Sequence, residues 1–198
     1  VGDVAVGRRR GRPRVGRPEA LAQREENRAG WPEADPETLC YLPGIPRAMY
    51  MPYPFHIVQA GDGSDILMAY SYASANRTIH MSDHQDPPVD TWMGRSNGEW
   101  DGDTLVVETY GFNGEAWLDR AGNFFSPAAV VTERMTLIAD NVMQYEATIR
   151  DPRTFSEPWT IRMPLYRRVE PNAQILEYKC VPFAEELLYK DLQLPEDE

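Results

Sequence analysis

Glu133 is the residue of this sequence whose type and position most directly suggest chemistry. It lies in residues 130–138, where apolar and polar residues alternate, and it shares the apolar phase with Val131, Met135 and Leu137. A carboxylate on a core-facing position must be paired, hydrogen-bonded or protonated, because burial of an isolated charge is costly. Such a carboxylate could serve as a general acid or base, or could orient a ligand inside a cavity.

Arg77 and His84 complete the candidate catalytic set, at the mouth of the cavity that Glu133 would face. The alternative for Glu133 is structural: it pairs with an arginine such as Arg77, Arg95 or Arg162, or it lies at a strand end that is open to water. The two hypotheses differ in whether the three candidate residues converge within hydrogen-bond reach.

The three histidines give little support to a metal site. His80 and His84 are four residues apart, a spacing that places two ligands on one face of a helix, but the residues around them predict a strand followed by a loop. That loop carries Asp83, Asp86 and Asp90, yet loops rich in Asp and Pro are more often solvated turns. We therefore predict no metal site. The sequence also lacks a G-x-S-x-G elbow, a phosphate loop and a dinucleotide fingerprint, so no cofactor is predicted.

The charge distribution separates a basic arm from an acidic body. Residues 1–30 hold eight arginines and four acidic residues, a net charge of +4, whereas the whole chain carries −11, so the remaining residues carry −15. Phosphate binding requires a clustered basic face, and the acidic body argues against nucleic acid as a partner. No run approaches the ~18 consecutive apolar residues of a membrane-spanning helix. The oligomeric state stays open.

Nine short strands are predicted to position these side chains. β-Branched and aromatic residues fill segments that are bounded by Gly, Pro, Asp and Asn, which is typical of strands joined by turns. In the clearest unit, Asp101-Gly102-Asp103 supplies a hairpin turn, and Gly102 can adopt the positive φ that a tight turn needs. The strands are expected at residues 55–59, 65–70, 77–81, 94–100, 104–109, 130–138, 142–150, 159–166 and 175–180.

Hairpin-length connections and the scarcity of helix indicate an all-β fold. We expect an antiparallel meander that closes into a lipocalin-like barrel, with a β-sandwich as the alternative. Residues 31–198 are expected to form this single domain, closed by a short helix over residues 183–192. Residues 1–30 are expected to be a disordered basic arm, with at most one helical turn near residues 19–27.

Alternation within the strands predicts which side chains line the barrel. The odd-numbered residues of the segments 142–150 and 159–165 are apolar and are expected to face inward, and the hairpin around Gly102 would form one wall. The residues expected to contact a ligand are Tyr145, Trp159, Met143, Met163 and Trp100.

Cys40 and Cys180 lie at opposite ends of the predicted domain. In an oxidising compartment they could form a disulfide that joins these ends. On the chain-entropy model, so long a loop would contribute roughly 4–5 kcal/mol. The alternative is two unpaired buried thiols, and the residues themselves leave both possibilities open.

Residues 36–180 resemble a large family of uncharacterised, mostly exported bacterial β-rich proteins, abundant in acidobacteria and related soil and marine groups. The run MGRSNGEWDGDTLVVETYGFN (residues 93–113) is the core of the resemblance, and RDPRTF (150–155) and ILEYKC (175–180) match as well. The resemblance implies a periplasmic or secreted domain and favours a disulfide between Cys40 and Cys180. It implies no activity, and histidines of the family pattern are replaced here by Asn123, Phe125 and Val130.

Three functions are compatible with these predictions. The first is a β-barrel of the bacterial envelope that binds a small, largely apolar molecule. The second is a barrel hydrolase, isomerase or lyase that uses Glu133 as acid or base, and the third is a structural module of the envelope. An interior filled by side chains favours the third function, whereas a lined cavity of several hundred Å³ is typical of ligand sites.

Overall fold

The computed structural model describes residues 16–182, and a single β-sheet dominates this part of the chain. The sheet has eight strands. Two helices, α1 (Pro18–Ala29) and α2 (Arg47–Tyr50), precede the sheet, and a short 3-10 turn (Tyr72–Ser74) lies within it. The strands are β1 (Phe55–Gln59), β2 (Ile66–Tyr70), β3 (Asn76–His80), β4 (Arg95–Asp101), β5 (Thr104–Tyr110), β6 (Val130–Ala139), β7 (Val142–Arg150) and β8 (Trp159–Tyr166).

The strands pair in sequence order and the sheet curls into a half-barrel, which confirms the all-β prediction. Closure into a lipocalin-like barrel is wrong, because β1 and β8 do not pair within residues 16–182. The predicted ninth strand, residues 175–180, is irregular instead. This segment crosses to β2 and its neighbouring turn, where Ser71 Oγ donates to Leu176 O at 3.1 Å. Pro164 in β8 offers no N–H to a further strand, which is typical of an edge.

The sheet is mixed rather than purely antiparallel, because β3 and β4 run parallel. Parallel neighbours need a connection long enough to return to the starting end of the sheet. Residues 81–94 provide it, and the pairing is short, with Ile79 opposite Ser96 and His80 opposite Asn97. The other six strand pairs are antiparallel.

Both hairpins with strong turn signals form as predicted. Between β4 and β5 the chain reverses at Gly102, whose φ is +60°, and Asp101 pairs with Thr104. Between β6 and β7 it reverses at Asp140 and Asn141. These turns are local in sequence, and for that reason composition alone predicts them.

The hydrophobic core lies on one face of the sheet. Alternation places Tyr145, Ala147 and Ile149 of β7 at 0% exposure, while the odd-numbered residues of β8 are half-buried. Leu137 departs from the predicted core phase, with 71% exposure, because β6 continues beyond the packed region.

The chain on either side of the sheet is tied to it. The helix α1 is longer than the single turn expected, and Arg17, the residue before it, joins the body by donating from its backbone N to Thr154 O at 2.9 Å. Cys40 and Cys180 form a disulfide with a Cα–Cα distance of 5.4 Å, so the bonded alternative is confirmed. The predicted helix over residues 183–192 lies outside the described residues. Within those residues, no helix has the length and apolarity to cross a membrane.

Candidate functional site

Glu133 and Arg77 meet in the centre of the core. Glu133 is 0% and Arg77 4% exposed, and the guanidinium donates to the two carboxylate oxygens at 2.6 and 3.0 Å. Tyr145 adds a third donor, with its hydroxyl 2.8 Å from Glu133 Oε1. Ser96 accepts a weaker bond from Arg77 at 3.3 Å. The alternation in β6 therefore locates a buried carboxylate correctly, and its partner is one of the three arginines considered from the sequence.

This cluster is electrostatically coupled and closed to solvent. Burial is the largest single influence on the pKa of Arg77 and would lower it, but the charge of Glu133, the hydrogen bonds to its carboxylate and the neighbouring tyrosines together raise this pKa above its usual value. Burial and the same carboxylate raise the pKa of Tyr145 well above its usual value. The bidentate pair and the tyrosine occupy both oxygens of Glu133 and both terminal nitrogens of Arg77, while the buried Nε of Arg77 has no acceptor among the described residues. The cluster accordingly has the chemistry of a structural ion pair.

His84 does not join this pair. It is exposed on the connection between β3 and β4, and its Nε2 donates to His80 O at 3.1 Å and to Gly98 O at 3.0 Å. No hydrogen bond links it to Arg77 or Glu133 within the described residues. The three candidate catalytic residues thus separate into a buried pair and a surface histidine that holds its own loop.

Four of the five predicted ligand-contacting residues pack into or against the core, and none of the five lines the pocket that runs along β3. Tyr145 is fully buried, and Met143, Met163 and Trp159 are half-buried against the core cluster. Trp159 stacks edge-on against Phe155, with ring centroids 5.5 Å apart. Trp100 is 55% exposed near the end of its hairpin.

A second buried charge cluster escapes prediction from the sequence. Arg47 at the start of α2 donates to both carboxylate oxygens of Asp35 at 2.9 Å and also contacts Glu37. Glu37 in turn accepts from Arg120 at 2.7 and 3.1 Å. Asp35, Glu37 and Arg47 are 0–7% exposed. They lie in a proline-rich segment without periodicity, so no sequence pattern marks them as buried.

A pocket of about 440 Å³ lies along β3 and the connection between β3 and β4. Its floor comes from β3, where Arg77 and Ile79 point into the core while Asn76, Thr78 and His80 lie on the opposite face. This placement follows from the two-residue period of a strand. The sequence gives one signal of the pocket, the long Pro- and Asp-containing connection, which also fits a solvated loop.

The pocket wall is the connection between β3 and β4, and it is held in place by backbone bonds. Thr91 N donates to Gly111 O and Thr91 O accepts from Asn113 N, both at 2.9 Å. Pro87 packs directly on Gly111, since a Cβ added there would lie 2.4 Å from the proline ring. Trp92 stacks on Tyr41 with centroids 4.9 Å apart and 11° between the planes.

Two basic side chains line this pocket in addition to Arg77. His80 Nδ1 lies 2.9 Å from Asp65 Oδ2. Asp65 also accepts from Met81 N at 2.9 Å, and this backbone bond lowers its pKa against the small effect of burial, with a further contribution from His80. Arg95 Nη2 donates to Asp83 O at 3.0 Å, and its buried Nε has no acceptor among the described residues.

Within residues 16–182, no group of three or more His, Cys, Asp or Glu side chains could hold a metal ion. His80 and His84, the pair with helical spacing, contact each other only through the backbone carbonyl of His80.

The chain matches no family model, and no curated protein or solved structure is significantly similar to it.

Proposed function

We propose that the protein binds a small, largely apolar molecule, and that it does so in the pocket between β3 and the connection of residues 81–94. The observation that carries the proposal is the pocket itself. Its volume of about 440 Å³ falls within the range of about 300–1,000 Å³ of small-molecule sites. Its wall includes Pro87, Pro88, Val89 and Trp92, and its floor offers a few polar groups.

The interior of the half-barrel is a less suitable location for a ligand than this pocket. Tyr145, Arg77 and Glu133 fill its centre with a bidentate ion pair and an aromatic ring. A ligand there would have to displace one partner of a bidentate salt bridge. The loss of one buried partner is strongly destabilising, because the other charge stays buried without compensation. The enzyme hypothesis has the least support. It needs Glu133, Arg77 and His84 together, whereas Glu133 and Arg77 form a buried pair and His84 lies apart from them at the surface.

We also propose an oxidising compartment, the periplasm or the cell exterior. The Cys40–Cys180 bond supports this location, because disulfides persist mainly outside the reducing cytosol.

Membership of the exported bacterial family is a further proposal, which rests on the hairpin run of residues 93–113. A purely structural module of the envelope is the second candidate function, and the filled core favours it.

A fragment screen by two-dimensional NMR tests the proposal. Apolar fragments at millimolar concentration should shift the amide signals of Thr78, Thr91 and Trp92. The variant Thr78→Trp, which adds a large ring to the pocket floor, should abolish these shifts. Thr160→Trp, at an exposed position of β8, should leave them unchanged. If no fragment perturbs the pocket residues of the wild type, the structural-module function is the better description.

A further inference from the structure

We propose that the ligand of this pocket is a carboxylate with a flat apolar body, bound through Arg95 and His80. The inference rests on the proposed function, since it specifies the ligand of the same site. Four observations support it: the sign of the charges around the pocket, the state of Arg95, the orientation of His80 and the shape of the wall.

The pocket lining contains cationic groups and no acidic residue. This is notable in a chain with 31 acidic residues and a net charge of −11. Of the three basic residues in the lining, Arg77 is neutralised by Glu133 on the core side of the sheet. His80 lies beside the carboxylate of Asp65, so Arg95 is the basic residue of the lining that has no carboxylate partner within residues 16–182. An unpaired guanidinium favours an anion at this site.

Arg95 has donors to spare for an anion. It forms no ion pair within 4.0 Å with any carboxylate of residues 16–182, and its one hydrogen bond goes to the backbone oxygen of Asp83. Its buried Nε lacks an acceptor in the described part of the chain, and a buried donor without a partner is costly. A guanidinium presents its N–H groups in a planar fork that matches a carboxylate. A bound carboxylate would satisfy this side chain.

His80 is oriented by its aspartate. The bond between His80 Nδ1 and Asp65 Oδ2 fixes the ring and leaves Nε2 without a hydrogen bond to a described residue. Because Asp65 accepts from Nδ1–H, it is the imidazolium form of the ring that donates Nε2–H to a bound carboxylate. Asp65 also lies within electrostatic reach of Arg95. The other charged or titratable groups beside His80 are His84, which bonds to its carbonyl oxygen, and Asp83, whose backbone holds Arg95. One unpaired guanidinium and one histidine suit a monoanion better than a phosphate dianion.

The wall favours a flat apolar body attached to this carboxylate. Trp92 is fixed by its stacking on Tyr41, and Pro87 and Pro88 add rigid apolar surface beside it. Aromatic rings stack well on such surfaces, and a rigid wall loses little conformational entropy when a ligand binds. The predicted ligand class is therefore an aromatic or similarly planar carboxylate.

Binding of 2-naphthoate and of its neutral isostere 2-naphthamide, compared by NMR titration, tests this inference. We expect naphthoate to bind at least about tenfold more tightly, as one charge-assisted hydrogen-bond pair would provide. The shifted amides should include Thr78, His80 and Trp92. In Arg95→Gln the preference for naphthoate should disappear while the naphthamide affinity stays the same.

The matched control is Arg134→Gln, which removes an exposed arginine that pairs with Asp101 on the distant hairpin. It should keep the preference. If Arg95→Gln disturbs the fold, the salt dependence of the wild type decides, because naphthoate affinity alone should fall as salt rises. Equal affinity for both probes in the pocket would overturn the carboxylate inference and leave the binding function standing. A naphthoate preference at another site also overturns it, and the absence of binding by both probes counts against both proposals.

Discussion

At the level of single residues, the core is organised around two opposite charges. Arg77 and Glu133 are 56 positions apart in sequence, yet they form a bidentate pair inside an otherwise apolar cluster. Two sulfur atoms, of Met68 and Met49, lie 3.2 and 3.8 Å from the same guanidinium. Buried ion pairs rarely increase stability over an apolar replacement, but the loss of one partner leaves an uncompensated charge.

Glu133→Gln should therefore be strongly destabilising. The substitution keeps the size of the side chain and removes its charge, so Arg77 stays buried without a counter-ion. We expect the free energy of unfolding to fall by about 3–5 kcal/mol, measured by urea denaturation. The control is Glu146→Gln in the neighbouring strand, whose partner Arg162 is 65% exposed and should contribute only about 0–1 kcal/mol. Similar losses in the two variants would contradict the structural role of Glu133.

Protonation of Glu37 should make the protein less stable at acid pH. Burial alone would raise the pKa of Glu37, but the hydrogen bond from Arg120 and the charges of Arg47 and Arg120 together outweigh it and lower this pKa from its usual value. A carboxyl group with a lowered pKa in the folded state contributes stability that is complete above its unfolded-state pKa. This contribution is lost as the pH falls through the folded-state pKa.

The urea midpoint of the wild type should consequently decrease as the pH is lowered from about 5 to about 3. In Glu37→Gln the decrease should be smaller, because one of the titrating groups is gone. Glu108→Gln, at an exposed position of β5, should retain the wild-type slope. A slope that is identical in Glu37→Gln and in the wild type would show that Glu37 is not linked to acid unfolding.

The sequence predicts the burial of single residues only within segments in which polar and apolar residues alternate. The alternation in β6 marks Glu133 as buried, but nothing local identifies which of several arginines lies opposite it. Arg95, one of the three basic residues of the pocket, stands out from the sequence only as a possible partner of Glu133. Asp35 and Arg47 lie outside any periodic segment, so their burial depends on tertiary packing that a single sequence does not encode locally.

Among the strands, the parallel contact between β3 and β4 is the feature that creates the pocket. An antiparallel meander would have joined these strands by a tight turn, and the wall of residues 81–94 would not exist over β3. The contact is short and tight. Gly98 in β4 faces the core beside Ile79 and Met81, and a Cβ at this position would lie 2.4 Å from Ile79 Cγ2.

Gly98→Ala should therefore push β3 and β4 apart. Overpacking of this kind costs about 1–3 kcal/mol, and we expect a corresponding loss in thermal or urea stability. Gly61→Ala is the control, since Gly61 has a negative φ and no atom within 4 Å of an added Cβ. Hydrogen exchange should locate the change at β3 and β4. If Gly98→Ala is as stable as the wild type, the contact is looser than the distances indicate.

The elements themselves were largely predictable and their arrangement was not. Turn residues and β-branched runs are local signals. They predict the first and last residues of eight strands to within one or two positions. Closure, strand direction and the fate of residues 175–180 depend on contacts between distant segments. The composition of ILEYKC fits a strand, but its disulfide and its contact with Ser71 hold it outside the sheet.

For the molecule as a whole, the disulfide closes the open sheet in a way that hydrogen bonds do not. Cys40 and Cys180 enclose all eight strands in a covalent ring with a sequence separation of 140. Tyr53, Tyr72 and Tyr178 pack together beside the bond, with ring centroids 5.2–6.0 Å apart. The irregular last segment is thereby fixed against the first part of the sheet.

Removal of the crosslink should lower stability substantially. The double variant Cys40→Ser, Cys180→Ser should lose roughly 5 kcal/mol on the chain-entropy model, because the unfolded chain regains the freedom of a 140-residue loop. Urea denaturation with and without dithiothreitol measures the loss. The wild type should become less stable on reduction, while the double variant should not respond. If the reductant also destabilises the double variant, the loss of stability in the reduced wild type has a cause other than this disulfide.

The same ring determines how the protein responds to tension between its ends. A load applied before Cys40 and after Cys180 passes through the covalent bond, so β1 to β8 carry none of it. Of the helices and strands within residues 16–182, α1 alone lies outside the ring, and it is held by bonds such as the one that Asn27 Nδ2 donates to Gly122 O at 3.1 Å. In single-molecule pulling, we expect α1 to detach first at low force, without sheet unfolding until a reductant is added. Extension of the full sheet from the oxidised protein would contradict this.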